Sequence, residues 1–278
     1  MNIRKRYTVS NYVDDLQRKG ELSFSLESVF DTFKSVDKRA VRNSLSRLSG
    51  KGKIASVWNG YYVIVPLQYS NMGTLPAVMY IDQLMKYLGR AYYISLLSAA
   101  TFYGASHQQP QVFFVMISPP QLRSSLKKGI RIVFNQRAKF PSEFLITKNS
   151  QTGTIKISSA ELTAIDLILF EKEIGGINRA ASIINELAEV MDLSTLPKLF
   201  FEYAPLSIFQ RLGYLLEVEL GYTALADGLY NKMQEFGLVC KRTRLSISKP
   251  ASGNYNKRWS IVVNTQIEID TERVRTCV

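Results

Sequence analysis

The chain has 278 residues, room for roughly two domains of about 100–200 residues each. At 46% hydrophobic and 21% charged it can build real cores, and its net charge of +12 favours polyanionic partners without choosing between nucleic acid and a membrane surface. No apolar run approaches the roughly 20 residues of a membrane span, and Met1 to Tyr7 is basic but lacks the apolar core of a signal peptide. Cys240 and Cys277 have neither metal-ligand spacing nor a disulfide framework, so a cytoplasmic protein is expected.

In chain order, Ser10 opens a helical pattern through Tyr12, Val13 and Leu16, which Gly20 closes after Arg18 and Lys19. Ser25 is the expected N-cap of a second helix whose apolar face is Leu26, Val29, Phe30 and Phe33. A third follows Asp37: Val41, Leu45 and Leu48 form one apolar stripe, while Lys38, Arg39, Arg42, Asn43, Ser46 and Arg47 occupy the remaining surface. Arginine can bond the guanine edge and asparagine the adenine edge, whereas lysine and serine suit phosphates. Taken alone, the segment also reads as an ordinary amphipathic helix with a solvated basic face. Two β-rich runs follow, Ile54 to Trp58 and Tyr61 to Val65, separated by Asn59-Gly60, the favoured pair for a type I′ hairpin.

Three helices and a tight hairpin predict a winged helix-turn-helix over residues 1–70. Residues 1–69 hold 12 Lys and Arg against 6 Asp and Glu, half of the net charge in a quarter of the chain. No acid falls between Asp37 and Asp82, so the exposed side of the third helix carries an undiluted positive field. The expected DNA contacts are Lys38, Arg39, Arg42, Asn43, Ser46 and Arg47, with Lys51 and Lys53 on phosphates and Asn59 and Tyr61 at the wing tip. A winged helix used for protein contacts is the alternative.

The polar stretch Gln68 to Pro76 reads as a connector. Helices are predicted from Ala77 to Leu88 and from Ala91 to Tyr103, the second apolar nearly all round. His107, the single histidine, lies in the loop Ser106 to Pro110 with no nearby ligand set, and a loop-fixing hydrogen bond is expected of it.

The run Ala91-Tyr92-Tyr93-Ile94-Ser95-Leu96-Leu97-Ser98-Ala99-Ala100, continued by Tyr103 to Val112, resembles the signature of AbiE-type antitoxins. These are the antitoxin and transcriptional-regulator halves of bacterial type IV toxin–antitoxin systems, linked to abortive infection and phage resistance. The resemblance implies a winged helix followed by an α+β antitoxin domain, and a repressor of its own operon that binds double-stranded DNA at inverted repeats. It also implies a nucleotidyltransferase-like toxin as functional partner, opposed without a stable complex. Inverted repeats would take two copies, self-associated at least on DNA.

The remainder, residues 75–278, reads as mixed α+β. Strands are expected at 111–117, 130–134 and 154–157, and helices from Ser159 to Gly175, Asn178 to Met191, Pro205 to Leu220 and Ala224 to Phe236. Two further strands are expected at Leu245 to Ser248 and Trp259 to Val263.

Two acid-free basic runs stand out, 121–142 and 237–267. They supply a candidate second DNA-contact surface of Arg123, Lys127, Lys128, Arg131, Lys241, Arg242 and Arg244, against a plainer reading as solvated loops and edge strands. No phosphate loop, His-x-x-x-His or Gly-x-Ser-x-Gly is present, and the helical acids Glu161, Asp166, Glu171, Glu173, Glu217 and Glu219 suggest no metal site. No catalytic residue, metal or cofactor is therefore expected. A regulator whose C-terminal part senses a ligand or protein remains the alternative function, and a nuclease built from distant acids has no support in the sequence.

Overall fold

The computed structural model describes residues 7–105 and 112–268, a mixed α+β chain. Its contacts divide it into two compact units. The first comprises Met1–Tyr93, Gln111–Gln136 and Thr147–Lys156, and the second Ile94–Pro110, Arg137–Ile146 and Ile157–Val278.

The first unit opens with α1 (Val9–Arg18), where Thr8 and Asn11 form a reciprocal capping box. A short strand, β1 (Ser23–Ser25), runs straight into α2 (Leu26–Thr32), whose N-cap is Ser25 as the sequence predicts. Helix α3 (Lys38–Gly50) is capped by the Asp37 carboxylate, which accepts from the Arg39 and Ala40 amides. Strands β2 (Ile54–Trp58) and β3 (Tyr61–Ile64) complete an antiparallel sheet of order β1-β3-β2, with Phe24 opposite Tyr62 and Ala55 opposite Val63. Val13, Val29, Val41, Leu45 and Ile54 close the core beneath it.

The Asn59-Gly60 turn departs from expectation. A type I′ turn needs positive φ at both central residues, yet only Gly60 has it, at +71°, and the register shifts between Ser56 and Trp58. Packing explains the difference. The Gly60 carbonyl accepts from the Leu26 amide at 2.7 Å, and the Tyr61 ring lies 4.9 Å from that of Tyr87 in α4 (Ile81–Tyr87).

The predicted helix from Ala91 to Tyr103 is also corrected. Tyr92–Ile94 is a fully buried strand, β4, and only Leu96–Ala100 is α-helix, α5, followed by a 3-10 turn. A strand buried on both faces carries the same continuous apolar signal as a core helix, so periodicity cannot separate them. The predicted loop around His107 lies outside the described residues.

Strands β5 (Val112–Ile117), β6 (Ser125–Lys127) and β7 (Ile130–Gln136) are neighbours in the order β6-β7-β5. β5 runs parallel to β7 with Phe114 opposite Val133, and β6 antiparallel to it with Lys127 opposite Ile130. Two more strands, β8 (Leu145–Ser150) and β9 (Gly153–Ser158), follow β4 in the order β4-β9-β8, with Ile94 opposite Ile157 in a parallel pair.

In the second unit the predicted helix from Ser159 to Gly175 is two: α6 (Ala160–Leu169) and α7 (Glu171–Ile174). The break is at Phe170, at φ −108° and ψ +31°. Helix α6 is buried nearly all round, and α8 (Ile177–Leu187) and α9 (Leu206–Tyr214) pack on it. A single π turn, Leu215–Glu219, extends α9 and leads to α10 (Thr223–Glu235). The predicted strand Leu245 to Ser248 is absent. Instead β10 (Thr243–Arg244), β11 (Asn254–Asn256) and β12 (Ile261–Val263) form a small sheet of order β10-β12-β11.

Candidate nucleic-acid interface

The candidate interface is centred on α3, held by one stripe. Val41 and Leu45 are each 1% exposed and Leu48 7%, whereas Lys38, Arg39, Arg42, Asn43, Ser46 and Arg47 are all exposed. The six predicted contacts thus share the outer side of one helix. Aromatic neighbours orient part of that surface. Lys38 Nζ and the Arg42 guanidinium each stand 5.3 Å from the centre of the Phe30 ring on α2. Burial pushes the Tyr62 phenol above its ordinary value, opposed by nearby Arg42.

The flanking predictions fare unequally. Lys51 and Lys53 are exposed, with Lys53 Nζ 3.9 Å from an Asp14 carboxylate oxygen. Asn59 is exposed, but Tyr61 is only 4% exposed and its hydroxyl lies 2.8 Å from Ser23 Oγ. Strand β3 turns that ring into the core, so Tyr61 is not available to a nucleic acid.

The basic runs are sorted by burial. Arg123, Lys127, Lys128 and Arg131 are exposed, and Lys128 lines an open hollow of about 490 Å3 with Arg42, Leu45, Ser46, Ser49, Gly50 and Tyr62. Arg137, from the same run, is buried and ion-paired with Asp166, while Lys139 pairs with Glu202 at 3.3 Å. In the other run Lys241 and Arg242 are exposed, Arg242 over the Tyr255 ring at 5.2 Å, and Arg244 is half-buried and donates to the Lys249 carbonyl. The charge of Arg258 is balanced there. Its guanidinium donates to Glu217 at 2.6 Å and Asp227 at 2.5 Å, and these carboxylates raise its pKa.

The acids are committed to similar work. Asp166 holds Arg137, Glu171 holds the fully buried Arg211, and Glu219 accepts from the Tyr214 hydroxyl. Glu161 accepts from the Asp192 amide at 3.0 Å. No group of three or more His, Cys, Asp or Glu that could hold a metal occurs among the described residues. The buried pairs escape a sequence reading because 29 and 40 residues separate their partners.

Lys127 and Lys128 are among the expected second contacts, but the hairpin turn that carries Lys128 is not predicted although its residues are legible. Lys128-Gly129 sits between two alternating runs, and φ is +50° and +79° at these residues, the positive pair a type I′ turn requires. Residue by residue, the chain from β4 through α9 then meets a known pattern: residues 93–218 match the family model of the AbiEi antitoxin C-terminal domain. That segment is similar to the AbiEi antitoxin C-terminal domain. The resemblance of the Ala91 to Val112 run to AbiE-type antitoxins is borne out over that segment. The β6–β7 hairpin lies inside the matched segment, whereas α3 precedes it.

Among solved structures, the RV2827C protein from Mycobacterium tuberculosis is similar, with a TM-score of 0.65 over 91% of this chain and 89% of that one. At 14% sequence identity the likeness speaks to the fold alone. No curated protein matches. Among the described residues no helix is long and apolar enough to cross a membrane.

Proposed function

We propose that this chain is the antitoxin and transcriptional regulator of a type IV toxin–antitoxin pair, acting in the cytoplasm without enzymatic chemistry. Residues 1–70 act as a winged helix-turn-helix, in which α2 and α3 are the paired helices and α3 enters the major groove of operator DNA. Residues 75–278, with the AbiEi domain at 93–218, oppose a nucleotidyltransferase-like toxin without holding it in a stable complex. Inverted repeats upstream of the operon recruit two copies, and their occupancy represses transcription.

The observation that carries the DNA-binding half is the outer side of α3: six polar or basic residues exposed over an apolar stripe that is itself buried. The match to the antitoxin domain carries the other half. A gel-shift titration of the whole chain on its own upstream duplex, against a shuffled competitor, tests the first. Arg42→Ala should cost about 1–3 kcal/mol on the cognate duplex and much less on the shuffled one. Equal loss on both would reduce Arg42 to a phosphate contact, and a wild-type protein without preference would refute the regulator. Co-expression with a neighbouring nucleotidyltransferase-like gene should relieve growth arrest, and persistent arrest would refute the antitoxin role.

A further inference from the structure

The β2–β3 hairpin is the element expected to serve as the wing, yet of its turn and flanking rings only Asn59 is exposed. A Cβ added to Gly60 would stand 3.0 Å from the Tyr87 hydroxyl oxygen, and the Gly60 carbonyl is bonded to the start of α2. Trp58, before the turn, packs edge-on against Phe134 with ring centres 5.7 Å apart, and Tyr61, after it, is buried. Little of this turn remains for a phosphate to meet.

A different hairpin stands beside α3. Strands β6 and β7 meet at Lys128-Gly129, and Lys128 shares the hollow with Arg42, Ser46 and Ser49 of α3. The hairpin is held in place from below: Ser125 Oγ donates to the Val57 carbonyl of β2 at 3.4 Å, and Phe134 of β7 meets Trp58. Ser125 and Phe134 anchor the base, and the exposed tip carries Lys127 and Lys128. Lysine needs no directional partner and serves phosphate as a point charge. A hollow lined by an arginine, two serines, a tyrosine and a lysine matches the sugar-phosphate strand beside a helix in the major groove.

We propose that the β6–β7 hairpin is the working wing of this protein, with Lys127 and Lys128 neutralising backbone phosphates alongside α3. This rests on the reading of α3 as the groove-entering helix. It makes the antitoxin domain a contributor to DNA binding, since residues 125–130 fall within 93–218.

The test uses the whole chain, its upstream duplex and a shuffled duplex, with affinity measured by fluorescence anisotropy across a salt series. The variant is Lys127→Gln with Lys128→Asn, because asparagine tolerates the left-handed conformation that Lys128 adopts. Each phosphate contact contributes about 0.9 to the slope of log affinity against log salt. Loss of two should shrink the fall in affinity between about 50 and about 200 mM salt by roughly tenfold. The ratio of operator to shuffled binding should stay unchanged, and Lys128→Arg should keep the wild-type slope. An unchanged slope in the double variant, with wild-type preference for the operator intact, would overturn the wing assignment and leave α3 standing. A collapse of operator preference would overturn the phosphate role. A wild-type protein with no operator preference would remove the reading of α3, and this inference with it.

Discussion

Gly213 sets two physical effects against each other. It lies inside α9, where alanine is favoured over glycine by about 1 kcal/mol, so propensity alone predicts that Gly213→Ala stabilises the protein. Packing predicts the opposite. A Cβ there would fall 2.1 Å from Cη2 and Cζ3 of Trp259, against the about 3.5–4.0 Å of carbon–carbon contact, so roughly 1.5 Å must be made up by movement. The indole cannot simply retreat. It is fully buried, its Nε1 donates to Glu217 at 2.5 Å, and the Trp259 amide donates to Asn256 Oδ1 at 3.0 Å. Overpacking costs about 1–3 kcal/mol and here belongs at the upper end, leaving a net loss of about 2 kcal/mol after the propensity gain. Urea unfolding followed by circular dichroism measures it. In a Trp259→Phe background the ring atoms responsible are gone, and the same substitution should become neutral or stabilising, a coupling that a double-mutant cycle reads directly. Stabilisation of the wild-type chain by about 1 kcal/mol would show that the indole is not wedged against α9.

Other outcomes follow from the buried charges and phenols. Glu171→Gln should cost about 3–5 kcal/mol in urea unfolding, because it strands the Arg211 guanidinium, which burial already pushes below the usual arginine range. Arg211→Met with Glu171→Leu should recover most of that loss, and failure to do so would show that the pair itself is net stabilising. Burial holds the Tyr80, Tyr92, Tyr103 and Tyr214 phenols above their ordinary value, reinforced by Asp82 at Tyr92 and by Glu219 at Tyr214. A raised folded pKa gives stability that is fully present below the unfolded value of about 10 and is lost as pH rises through the folded values. The urea midpoint should therefore hold up to about pH 10 and fall as pH rises beyond it, with tyrosinate absorbance appearing late; phenols titrating at about 10 with an unchanged midpoint would contradict this.

Local chemistry was legible wherever one segment carries its own instruction. Ser25 and Asp37 cap α2 and α3 because their side chains reach amides two or three residues on. Likewise the α3 stripe of Val41, Leu45 and Leu48 repeats at the helical period and is the stripe the core buries. The Ala91 to Val112 run suffices to show the likeness to AbiE-type antitoxins, since a long motif needs no coordinates.

What the sequence withheld depends on partners far along the chain. Tyr92 to Ile94 is a strand rather than a helix because it pairs with β9, about which its own apolar run says nothing. Tyr61 and Asn59 look alike as wing-tip residues, and only the docking of β3 turns one ring inward and leaves the other side chain outside. Arg137 and Lys128 carry the same charge in the same acid-free run. Desolvation against Asp166 removes the first from any surface, whereas a turn of two positive φ values sets the second beside α3. Charge and period are properties of a segment; exposure and pairing belong to the whole fold, because both depend on which distant atoms displace water from a side chain.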